Sequence, residues 1–175
     1  MTSDEDLRFP PALAAALAVR SDHIGGDGVD FEPFPAFLSA AETTEWIRAW
    51  TGDEELTGDH FRVFGRDGTG GYAAFWLVRP DRGPDGQPVV FLGSEGETGV
   101  VARDLGSFLW LLADGVGPLE AINPYGPVPA SYPHPELTAV AERYAPGLRA
   151  PATALIEQAV REFPDFDDII VKLCR

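Results

Sequence analysis

Apolar and polar positions change period several times along the chain, and each change marks an element. Residues 12–19 are Ala-rich and apolar behind Pro10 and Pro11, which predicts a short helix. The Gly25-Gly26-Asp27-Gly28 run then breaks the chain, so residues 1–30 read as an N-terminal arm. A second helix is predicted over 39–51. Ser39 and Glu42 have the spacing of a capping box, and Gly52 stands at the stop. On it Trp46 and Trp50 lie four apart and share a face with Ile47, the spacing of core residues.

The pattern then shortens to that of strands. Residues 61–64 and 72–78 are apolar and aromatic, and Asp67-Gly68-Thr69-Gly70-Gly71 between them predicts a hairpin turn. Residues 88–92 and 100–102 form two further short strands around a turn over 93–99. Short links favour antiparallel neighbours. Alternation places Phe75 and Trp76 on opposite faces, so one of them needs a second covering layer or is exposed.

Helical spacing returns at Asp104, where Leu105, Phe108, Leu109 and Leu112 follow the i, i+3, i+4, i+7 pattern up to Gly115. That stripe is expected to pack on one face of the sheet. Trp110 falls off the stripe and is predicted to face outward. Residues 117–135 are Pro-rich with Tyr125 and Tyr132, which predicts an ordered crossing loop. Two helices follow, near 135–144 and from Pro151 through Phe163, and 166–173 reads as a further helix. The fold class is therefore α+β: an antiparallel sheet of about four or more strands flanked by helices, with a helical C-terminal extension.

A chain of 175 residues fits one domain and can bury a core without staples. The single cysteine, Cys174, cannot form an intrachain disulfide. Asp4, Glu5 and Asp6 are unlike the basic start of a secretory signal, and residues 12–19 are too short to span a membrane, so a cytoplasmic location is expected. Charge narrows the partners. With 28 acidic and 13 basic residues the net charge is −15, which repels nucleic acid and anionic membranes and attracts a basic protein.

Known catalytic patterns fit poorly. Gly68-Thr69-Gly70-Gly71-Tyr72-Ala73 has the letters of a dinucleotide fingerprint but opens a strand instead of a helix. Ser94 lacks the G-x-S-x-G spacing of a nucleophile elbow. His23, His60 and His134 have no partner at metal-ligand spacing, and Asp165, Asp167 and Asp168 lack the glycine and oxygen pattern of a calcium loop. No cofactor and no metal are expected. The turn carboxylates Asp67, Glu95 and Glu97 are the one acid–base option, for a carboxylate-dependent hydrolase.

The order Phe61-Arg62-Val63-Phe64-Gly65, Asp67-Gly68-Thr69-Gly70-Gly71, Ala74-Phe75-Trp76, Val89-Val90-Phe91-Leu92-Gly93-Ser94-Glu95-Gly96 and Asp104-Leu105 with Phe108-Leu109 resembles the SUKH (SMI1/KNR4) superfamily over residues 31–120. That resemblance implies an antiparallel sheet with helices and a role without catalysis. Bacterial members are often immunity proteins that bind a cognate toxin, frequently a nuclease; fungal members act as regulatory proteins through partners. The expected function is thus an immunity protein for a basic toxin domain, with a regulatory interaction module as the alternative. Asp67, Glu95, Glu97 and Trp110 are the expected contacts, because interfaces favour aromatic anchors and the acidic turns suit a basic partner. The chain reads as one domain over 1–175, with a core over 31–120 and a loop and helices over 121–175.

Overall fold

The computed structural model describes residues 6–19, 31–123 and 133–174. Five antiparallel strands run in the order β1-β2-β3-β4-β5: β1 (Glu32–Pro33), β2 (Phe61–Arg66), β3 (Tyr72–Trp76), β4 (Val89–Leu92) and β5 (Thr98–Ala102). The fold is α+β, with four strands close to those predicted. The fifth, β1, has two residues and no apolar run, so no strand pattern announces it.

Side-chain alternation sorts the strands onto two cores. Val89 and Phe91 of β4 join Phe64, Ala73 and Phe75 on one face; Val90 and Leu92 join Phe61, Val63 and Ala74 on the other. Both faces are covered, which is why all four residues of β4 are buried. Phe64 is the extra residue of a bulge, since the register of β2 on β3 shifts between Val63 and Gly65.

The first face carries α1 (Pro11–Ala18) and α3 (Leu105–Ala113), with α5 (Pro135–Tyr144) packed on α1 and α3. Leu13 of α1 is fully buried, so part of the predicted N-terminal arm belongs to the core. The Gly25–Gly28 run lies outside the described residues. Asp104 caps α3 by accepting from the Ser107 N–H at 2.8 Å. Gly115, at φ 80°, turns the chain after the helix.

The second face carries α2 (Ala40–Thr51), α6 (Ala152–Glu162) and α7 (Phe166–Leu173). The capping box of α2 is complete: the Ser39 hydroxyl accepts from the Glu42 N–H, and Glu42 accepts from the Ser39 N–H at 2.9 Å. The backbone and hydroxyl bonds from Ser39 hold the Glu42 carboxyl below its ordinary value. Trp76, opposite Phe75 on β3, is covered by this second layer, with its ring edge-on to Phe163 and Phe166. A short α4 (Pro118–Ile122) occupies the start of the Pro-rich segment; its tyrosines lie outside the described residues.

Two polar devices hold the C-terminal layer and the β3–β4 link. Buried Gln87 accepts from the N–H groups of Val78 and Arg79 and donates to the carbonyls of Arg79 and Arg82. Its amide is fully satisfied, as burial demands. Arg79 donates to the Gly86 and Arg103 carbonyls and to Glu162 at the end of α6, while its guanidinium lies 5.2 Å from the Phe163 ring centre.

Candidate functional site

A meander places alternate turns at the same end of the sheet. The β2–β3 and β4–β5 turns therefore meet: a Cβ added to Gly71 would lie 3.0 Å from the Gly93 Cα. The acidic turns picked out in the sequence are brought together in this way, but their side chains do different things.

Asp67 is 2% exposed. Its Oδ1 accepts from the Gly71 N–H at 2.8 Å, the Thr69 hydroxyl at 2.8 Å and the Thr69 N–H at 3.2 Å. The carboxylate is turned inward to satisfy turn donors, so it builds the hairpin and offers no charge to a partner. Replacing it with alanine strands those donors and is expected to cost about 2 kcal/mol of stability, read as a lowered Tm.

Glu95 and Glu97 are exposed. The tight turn that carries them needs Gly96 at φ 94° and closes through the Gly93 N–H on the Glu97 carbonyl at 2.6 Å. Glu97 Oε2 accepts from the Glu95 N–H at 3.2 Å, which folds the Glu97 carboxylate back over its own turn.

Beside this turn lies an open cleft of about 500 Å³ between α2 and α7. Trp46, Ala49 and Trp50 form one wall, Ile170, Val171 and Cys174 the other; Gly70, Ser94, Gly96 and Thr98 lie at the turn end. Both tryptophans, expected in the core, are half-buried. The Trp50 indole donates to the Gly93 carbonyl at 2.8 Å, tying the wall to the acidic turn. One face of Trp46 stacks on Tyr72, with centroids 4.5 Å apart. Thr98 donates to Asp167 at 2.7 Å, bringing the first turn of α7 and its Asp168 to the same end. Val171 is 67% exposed, the most open of the large apolar side chains among the described residues.

The charge here is uncompensated. The ion pairs of the described residues join Arg8 to Asp6, Arg66 to Glu32, Arg79 and Arg103 to Glu162, Arg103 to Asp104, and Arg149 to Glu142. None involves Glu95, Glu97, Asp167 or Asp168. A second cleft of about 510 Å³ sits over the start of α3 among Pro11, Arg82, Asp85, Asp104, Tyr144 and Leu148, and its charges are of both signs.

Trp110 is not where the sequence pattern put it. It is 4% exposed, its indole donates to the Ala145 carbonyl at 2.8 Å, and the Arg149 guanidinium covers its ring at 5.1 Å. The expectation assumed one packed face of α3, whereas α3 lies between the sheet and α5, and its residues Ser107 to Ala113 are all buried. Trp110 is therefore closed to a partner. The α2–α7 cleft was missed because its walls come from elements over a hundred residues apart.

His134 caps α5 by accepting from the Leu137 N–H, His60 is exposed before β2, and His23 lies outside the described residues. Among the described residues no three His, Cys, Asp or Glu side chains converge as a metal set, and no helix is long and apolar enough to cross a membrane. No family model, curated protein or solved structure matches the chain.

Proposed function

We propose that this chain works by binding a basic protein, and that it is an immunity protein which captures and neutralises a toxin domain. The observation that carries the reading is the turn end of the sheet, where exposed Glu95 and Glu97 have no ion-pair partner among the described residues and stand beside an open cleft walled by two tryptophans. Aromatic side chains are the usual anchors of a protein interface, and exposed carboxylates beside them steer a basic partner to the site. A net charge of −15 adds long-range attraction, which speeds capture of a basic partner and weakens with salt. The SUKH resemblance supplies the toxin as the kind of partner.

The test is a bait experiment in the host at low and high salt, followed by co-expression. The expected result is a basic protein held at low salt, released at high salt, and harmless to cells only when this chain is present. A captured protein that this chain fails to neutralise removes the immunity role and leaves a regulatory module. Capture of no basic protein removes the binding role itself.

A further inference from the structure

We propose that the α2–α7 cleft is the anchor point for a cationic side chain, an arginine or a lysine, presented by the partner among aliphatic neighbours. The inference rests on the reading that the partner is a basic protein and says where and how it is gripped. Three features of the cleft select that occupant. The Trp46 and Trp50 rings line it, and an indole face is the strongest side-chain site for a cation. Glu95 and Glu97 flank the lining residues Ser94 and Gly96, and Asp167 is bonded to the lining Thr98, so the charged tip meets carboxylates that have no ion pair among the described residues. Ala49, Ile170 and Val171 supply apolar wall for the methylene stem and for flanking leucine-type residues.

Size and sign agree with this. A volume of about 500 Å³ accommodates a long side chain and parts of its neighbours. A second copy of this chain would bring the same negative rim and be repelled, as would a nucleic acid. The cleft over α3, with Arg82 among Asp85 and Asp104, carries lining charges of both signs and does not choose a cation.

The experiment titrates the full chain with a short synthetic peptide of alternating arginine and leucine and follows the indole N–H signals by NMR. The Trp46 signal is expected to move saturably, while that of Trp110, buried against Ala145, stays in place. Changing Glu95→Gln and Glu97→Gln together is expected to weaken peptide binding about tenfold, the sum of two modest exposed charge interactions. Val171→Arg, at a site open enough to leave the fold unchanged, fills the cleft with a rival cation and is expected to abolish the Trp46 response. Binding of equal strength by a peptide with glutamate in place of arginine would overturn the proposal. So would an unmoved Trp46 signal, or variants that bind as the parent does. Those results would leave the wider reading standing if a basic protein is still captured, because that reading fails only with the bait experiment.

Discussion

A chain ending at residue 145 is expected to show no cooperative unfolding transition by heat or denaturant. The residues that carry a family resemblance in the sequence end near 120, so the helices after them look dispensable there. In the structure α6 and α7 supply Ala159, Phe166 and Ile170 to the second core. Leu155 of α6 is buried in the first core, and the rings of Phe163 and Phe166 lie edge-on over Trp76 of the sheet. Cutting the chain there opens one face of β3 to β5 to water. Each large side chain so exposed forfeits about 1.5–3 kcal/mol. Several such losses exceed the roughly 5–15 kcal/mol by which a domain is stable. The measurement is a circular-dichroism melt of the shortened chain; a cooperative transition near that of the full chain would show the sheet stable without its second layer. The same result bears on the α2–α7 cleft, which loses a whole wall with α7.

Phe75→Ala is expected to lower stability by about 3–5 kcal/mol, the range for removing a buried aromatic ring. Phe75 is fully buried in the first core, with the Phe64 ring centre 5.3 Å away and that of Phe37 6.1 Å away. Phe64 in turn lies 5.7 Å from Phe108 of α3, so the ring joins the sheet to the helix layer through its neighbours. These rings are held from several sides, which limits collapse into the void and places the cost high in the range. Denaturant unfolding of both proteins reads the difference directly. A loss below about 1 kcal/mol would mean that the aromatic cluster can repack around the gap.

Local signals carried most of the fold. Ser39, Glu42 and Gly52 delimit α2, Asp104 and Gly115 delimit α3, and the glycines of the two turns space the strands, because caps and turns are decided by a few neighbouring residues. What escaped was decided at a distance. Trp110 faces outward only if α3 has one packed side, and nothing near residue 110 announces that Ala145 will supply a carbonyl to its indole. Asp67 reads as a surface charge until its hydrogen bonds are seen to close on its own turn. Of the candidate site, the acidic rim of Glu95 and Glu97 was legible. The aromatic wall was legible as residues but not as a wall, since Trp46 and Val171 become neighbours only when the last helix folds back.

The ends of the sheet bear on how this protein behaves in a crowded cell. One edge is β1, two residues long, whose Pro33 has no N–H to offer. At the other edge, α6 packs against β5, with α4 and α7 also in contact with it. A sheet guarded on both sides gives an incoming strand little backbone to pair with. Among the described residues the molecule is thus poorly suited to templating fibres or exchanging strands with its own copies. On those terms the chain can be held at high concentration without pairing through its sheet edges.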